Sequence, residues 1–181
     1  YRIPSEAECF ICHKENNVAV PIGIKPQSLN ATYTYATGSM NQLQKWINVG
    51  YLENNLPSNI TTVVDYSDTS QNLELRVRSY LDINCAHCHK EGSHCDYRPI
   101  RLAFDETATP SNLGICIAPE ENINSALTNI ITPNNFNRSV MHFRMNTTDE
   151  ATRMPLIGRN LIHTEGVQLI EDWINTLTPC N

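Results

Sequence analysis

Two five-residue motifs of the form Cys-x-x-Cys-His occur in this chain, at positions 9–13 and 85–89. Two thiols at this spacing can bond to the two vinyl groups of one porphyrin, while the histidine that follows them ligates the iron. The sequence therefore predicts two covalently attached haem c groups. The predicted attachment residues are Cys9, Cys12, Cys85 and Cys88, and the predicted iron ligands are His13 and His89.

Two other uses of these cysteines have to be weighed. The four motif cysteines could form one tetrahedral zinc site of structural function, in which case the two histidines would be coincidental. The pairs could also be redox dithiols, but that motif usually begins a helix after a strand in a βαβ pattern. No such pattern precedes either motif.

Size and charge restrict the classes of partner. The 181 residues suffice for one domain or two small ones, and the formal net charge is −6. An acidic surface, made more acidic by haem propionates, argues against nucleic acid and anionic membranes and favours protein redox partners with a basic docking face. No uninterrupted apolar run is long enough to span a bilayer.

Three cysteines lie outside the motifs: Cys95, Cys116 and Cys180. Haem c is normally attached in an oxidising compartment, where a Cys95–Cys116 disulfide would close a short loop. Cys180 would then be unpaired or would bond to another chain. A bond from Cys180 to either of the other two stays open, since connectivity cannot be deduced from sequence.

The composition divides the chain into three parts. Residues 57–72 are rich in Asn, Ser, Thr and Asp and lack helical periodicity, so we interpret them as a connector. A first haem segment, residues 1–56, precedes it, and a second, fuller haem segment, residues 73–181, follows it.

Helices are predicted on both sides of the second motif. Leu73, Val77, Tyr80 and Leu81 recur at helical spacing before Cys85. Near the end of the chain, Thr164 is a suitable N-cap for a helix that Pro179 terminates. A short helix is expected at 125–131. The apolar stripe of the last helix consists of Val167, Ile170, Trp173, Ile174 and Leu177.

The first segment has weaker helical signals. A short helical turn near Ser5 precedes Cys9, residues 18–23 look like an extended loop, and the spacing of Leu43, Trp46 and Ile47 predicts a helix over 39–51.

The sixth ligand of each iron decides between electron transfer and small-molecule chemistry. Met154 is predicted for the second haem, because the restricted backbone before Pro155 can direct its thioether at iron. Met40 is predicted for the first haem because it lies in the same segment, and His142 is its rival if the two segments pack together. Arg144 and Arg153 are candidate partners of haem propionates.

These residues resemble a cytochrome c family. The second motif, Arg153-Met154-Pro155 and the helix after Thr164 resemble a mono-haem cytochrome c module. The whole chain, through segments such as 41–43 and 81–89, resembles the C-terminal twin-CxxCH region of an uncharacterised family of secreted bacterial proteins. The resemblance implies a mainly α fold, with two small cytochrome c-like haem segments, long loops and little or no sheet.

The functional expectation is an electron carrier of the bacterial periplasm or the outside of the cell. The alternative is a peroxidase-like dihaem enzyme or a small-molecule sensor, with an open iron position at the first haem. The distinction depends on whether Met40 closes that position.

Overall fold

The computed structural model describes residues 2–180 and contains six α-helices with two short 3-10 helices in that range. None of these helices combines the length and the apolar character that a bilayer crossing needs. The α-helices are α1 (Glu6–Cys12), α2 (Pro26–Leu29), α3 (Gln42–Asn48), α4 (Leu73–Asn84), α5 (Val140–Met145) and α6 (Thr164–Ile174). The 3-10 helices are Pro110–Leu113 and Phe136–Arg138.

The expectation of a mainly α fold with little or no sheet is wrong. Helical segments cover about 30% of the chain, and two antiparallel hairpins make this a small mixed α/β fold. The first hairpin pairs β1 (Lys14–Glu15) with β2 (Val18–Ala19), and the second pairs β3 (Thr32–Tyr35) with β4 (Gly38–Asn41).

Local turn chemistry explains both hairpins. Asn16 and Asn17 have φ values of 49° and 62°, the left-handed conformation that a tight two-residue hairpin turn requires and that asparagine tolerates. Val18 and Ala19 are therefore strand residues and not part of an extended loop. In the second hairpin, alternating threonine and tyrosine favour β3, and Gly38 supplies a φ of 110° after the turn.

Helix α4 crosses α6, and this crossing forms the centre of the core. The apolar periodicity predicted both helices correctly. Gly166 lies against Tyr80, so close that a Cβ at residue 166 would overlap the phenol ring. The largest fully buried side chains around the crossing are Leu81, Leu102, Leu113, Ile131, Ile170, Trp173 and Ile174.

Three details of the helices differ from the sequence predictions. Helix α3 begins after its N-cap Asn41, so Met40 lies in β4 rather than at a helix start. Helix α6 has His163 at its N-cap without a side-chain cap, and Thr164 is its first residue. No helix forms at 125–131, since this stretch makes isolated bridges from Ile131 to Ile115 and from Asn129 to Ser139.

The first segment has almost no core of its own. Among residues 2–72, Leu43 is the single buried residue. Lys25 joins this segment to α4, because its Nζ lies 2.6 Å from Oδ1 of the buried Asp82. The Asp82 carboxylate also accepts a hydrogen bond from the Phe104 amide at 2.9 Å. The segment is therefore held mainly by contacts with the rest of the chain.

A disulfide joins Cys116 to Cys180, with a Cα–Cα distance of 5.8 Å and a sequence separation of 64. The predicted Cys95–Cys116 pairing is therefore wrong, and one of the pairings left open by the sequence is present. Cys95 is a buried free thiol. The disulfide attaches the end of the chain after α6 to the loop that follows the first 3-10 helix.

The close approach at Gly166 gives a stability prediction. Alanine is about 1 kcal/mol better than glycine inside a helix, but at this position its methyl group would overlap Tyr80 and also lie 2.7 Å from His163 Nδ1. We expect Gly166→Ala to lower the free energy of unfolding by roughly 1–3 kcal/mol. Urea denaturation followed by circular dichroism measures this change.

Gly23→Ala is the matched control, because no atom lies within 4 Å of its Cβ position. This control should change stability by less than about 0.5 kcal/mol. A Gly166→Ala variant as stable as the parent chain would contradict the helix crossing described here.

Candidate haem site

The second motif follows directly from the end of α4. Cys85 is the C-cap of that helix, and its carbonyl accepts hydrogen bonds from the amides of Cys88 at 3.1 Å and His89 at 3.0 Å. The His89 carbonyl in turn accepts from the Leu102 amide at 2.9 Å. These bonds fold the motif into a compact turn that fixes both cysteines and the histidine on the core.

The imidazole of His89 has the properties of a metal ligand. Burial lowers its pKa to about 4, so the ring is neutral at neutral pH and keeps a lone pair for a metal. Its Nδ1 is buried without a hydrogen-bond partner. Burial also raises the pKa of Cys85 to about 12, which keeps that thiol protonated.

A cavity of about 350 Å³ lies over the second motif. Its volume falls within the range of about 300–1,000 Å³ that is typical of cofactor sites, and its lining is mostly apolar. Cys85, Cys88 and His89 line the cavity together with Met154. The Met154 amide donates to the Arg144 carbonyl at 2.9 Å, which anchors this methionine beside α5.

The cavity lining contains more sulfur than Cys85, Cys88 and Met154 provide. Met141 and Met145, which lie four residues apart on α5, line it together with the buried thiol of Cys95. From the sequence, their four-residue spacing predicts that they pack on one face of a helix turn. The periodicity correctly indicates one face of a helix turn, but it does not show that this face borders a site.

Arginines also line the cavity, and only one of them was predicted. Arg144 is on the lining, whereas Arg153 is not; its Nη2 lies 3.3 Å from Glu150 and its Nε donates to the Leu156 carbonyl at 3.2 Å. The predicted role of Arg153 therefore has no support in the cavity lining. Two further lining residues are Arg98 and Arg159, which were not predicted.

Arg159 differs from the other cavity arginines because one of its buried nitrogens has no hydrogen-bond partner. Its Nη1 donates to the Met145 carbonyl at 2.6 Å, while its Nε is buried without a partner. Arg98 forms ion pairs with Glu120 at 3.0 Å and Glu121 at 2.5 Å. No sequence pattern identified these two arginines, since the fold brings them to the cavity from separate loops.

The first motif lies on α1, where Ser5 caps the helix through a reciprocal pair of hydrogen bonds with Glu8. Cys9 is exposed and Cys12 is half-buried. The His13 Nδ1 lies 3.1 Å from the Val20 carbonyl. A backbone acceptor at that distance orients the ring and leaves Nε2 for a metal, as is usual for metal-ligating histidines.

The candidate sixth ligands of the first haem lie in β4 and in α5. Met40 pairs with Tyr33 across the second hairpin, and its sulfur accepts from Asn48 Nδ2 at 3.5 Å. His142 is buried on α5, where its ring lies 4.8 Å from that of Phe136. The described contacts of neither residue join it to the first motif.

The structure brings the two motifs into contact with each other. One close group joins the motifs. It consists of Cys12 Sγ, Cys88 Sγ and a ring nitrogen of His87, which all lie within 4.8 Å of one another. The interaction between the two thiols lowers the pKa of Cys12 and raises that of Cys88. Cys9 and Cys85 lie outside this group. The structure therefore does not bring the four motif cysteines together as one zinc site.

Comparison of the chain with protein-family models, with curated proteins and with solved structures gives no match. The assignment of the site therefore depends on its own residues and geometry.

His142 provides a pH prediction independent of the haem. Burial lowers its pKa, with an opposing effect of Glu171, whose Oε2 lies 3.6 Å from Nε2. The unfolded chain therefore takes up a proton at this residue before the folded chain does as pH falls below about 6.5. We expect the free energy of unfolding to fall between pH 7.5 and pH 5.5, and to fall less in His142→Gln.

Glu171→Gln is the companion variant, because it removes the carboxylate that favours the protonated ring. Its loss of stability at acid pH should be at least as large as that of the parent chain. Equal pH dependence in His142→Gln and the parent chain, measured by urea titration, would show that this histidine is not the linked group.

Proposed function

We propose that this chain is a dihaem c-type cytochrome that transfers electrons between protein redox partners in the bacterial periplasm or outside the cell. The observation that carries the proposal is the cavity that His89, Met154 and both cysteines of the second motif line together. Attachment thiols and two different axial ligands around one apolar volume are what a six-coordinate haem c requires.

The residues of the second site fit a haem in three ways. The sequence motif supplies the thiols at the required spacing, the neutral imidazole of His89 supplies the proximal nitrogen, and the unpartnered Nε of Arg159 is a buried donor that a propionate would satisfy. Haem, when bound, supplies a reversible one-electron couple. His89 and Met154 would hold the iron as two protein ligands, which would favour electron transfer over ligand binding.

At the first site, the chain offers an oriented histidine and two thiols on α1. His13 is fixed through Val20, and Met40 remains the predicted sixth ligand. The near absence of a core in this segment is consistent with a domain that is completed by the apolar body of a cofactor.

A second candidate has one specific observation in its favour. The group of Cys12, His87 and Cys88 could hold a soft metal ion such as zinc in place of haem. The two uses exclude each other, because a cysteine bound to haem as a thioether is no longer a thiolate ligand. A zinc protein of this kind would have no Soret band and would be colourless.

The predicted Met154 ligand can be tested by spectroscopy. The oxidised protein should show the weak far-red band of methionine-to-iron coordination, and Met154→Ala should lose the share of that band that comes from the second haem. The midpoint potential of the second haem should fall as well, since methionine ligation raises it. Absorption spectra and a redox titration measure both effects.

Met145→Ala is the matched control, because Met145 lines the same cavity but is not the assigned ligand. It should keep the band. A Met154→Ala protein that retained the band at full strength would exclude Met154 as the ligand.

Carbon monoxide separates the carrier from the alternative enzyme or sensor. The reduced parent protein should give the same spectrum before and after the gas is added, since both irons are six-coordinate in the carrier. Binding at one haem of the parent protein would favour an open site and would exclude Met40 as a stable ligand of the first haem.

A further inference from the structure

The contact between the two motifs continues beyond Cys12 and Cys88. On the first motif side, the Ile11 carbonyl lies 3.8 Å from the Cys88 sulfur. Two residues after the first motif and one residue after the second, Glu15 Oε2 lies 2.7 Å from Lys90 Nζ. The chain that follows the first motif therefore runs beside the chain that follows the second.

A backbone contact completes this arrangement. The Asn16 amide donates to the Gly92 carbonyl at 2.8 Å. Asn16 can do so because it is a left-handed turn residue of the first hairpin, which directs its N–H away from the hairpin's own hydrogen bonds. The hairpin thus presents its turn to the loop of the second motif.

Gly92 is the residue that permits the approach. Its φ is +73°, and a Cβ at this position would lie 2.5 Å from Asn16 Oδ1. A side chain at this position would be strained at this φ and would displace the Asn16 side chain. We call residues 11–16 and 88–92 together the motif junction.

We propose that the motif junction holds the two haems as one magnetically and electrostatically coupled pair, rather than as two independent carriers. This inference rests on the proposed function. Each thioether sulfur is separated from its porphyrin by a single saturated carbon. Because the sulfurs of Cys12 and Cys88 lie within 4.8 Å of each other, they would bring two attached porphyrins close together. Glu15, Lys90 and Gly92 act as positioning residues.

The burial of the junction strengthens the coupling. Cys12 and Cys88 are half-buried, and charges in such surroundings are screened less by water and salt than charges on the surface. The oxidation state of one iron should therefore change the midpoint potential of the other. Two haems attached to separate, unconnected segments would show neither this effect nor a magnetic interaction.

Electron paramagnetic resonance of the intact dihaem protein tests the proposal. In the fully oxidised protein, both low-spin Fe(III) signals should be broadened by their mutual interaction. In the half-reduced protein, one iron is diamagnetic Fe(II), so the remaining signal should sharpen. A remaining signal with the same line width in both samples would overturn the proposal.

Two variants then assign the coupling to the junction. Gly92→Ala and Glu15→Gln should each reduce the difference in line width between the two samples, while the absorption spectrum of each haem stays that of the parent. If Gly92→Ala does not fold, the milder Glu15→Gln variant decides. Parent-like coupling in both variants would show that these residues do not position the haems.

Asp172→Asn is the matched control. Asp172 is exposed on α6, where it accepts from Gln168 Nε2 at 2.8 Å, and it has no contact with the junction. This variant should keep the coupling of the parent. A protein without haem would refute the proposed function itself, whereas two bound but uncoupled haems would refute the junction alone.

Discussion

The close crossing of α4 and α6 at Gly166 and Tyr80 is the constraint on which the rest of the structure depends. Helix α4 ends at Cys85 and so delivers the chain into the second motif. Helix α6 follows the loop that contains Met154. Because the two helices are packed closely together, the His89 side and the Met154 side of the cavity are held by one frame. The crossing is thus both the centre of the core and the support of the site.

The first segment depends on this frame instead of forming one. With Leu43 as its single buried residue, it cannot gain much from burying apolar surface of its own. Two of its attachments to the second segment are the Lys25–Asp82 ion pair and the motif junction. A segment that is held by polar contacts needs little core volume, and this one places Cys12 beside Cys88 of the second segment. The second segment therefore provides the core, and the first segment packs its motif against it.

Sequence reasoning identified the features that follow from local pattern. The periodicity before Cys85 and after Thr164 predicted α4 and α6, and the motif spacing identified the cysteines and histidines that the second cavity contains. The predicted sheet content was too low, although the Asn16–Asn17 turn indicates the first hairpin and the alternating threonine and tyrosine of β3 indicate the second. It could not find Arg98 and Arg159, since only tertiary folding brings these loops to the cavity. The Cys116–Cys180 bond was similarly one of several connectivities that sequence allows.

The intact mass of the denatured protein, produced in a bacterium that attaches haem c, tests the central claim most directly. Thioether bonds survive denaturation, whereas a coordinated zinc ion does not. The account predicts the mass of the chain plus two haems, with a Soret band that stays with the polypeptide. The bare mass of the chain, together with zinc released by acid, would contradict it.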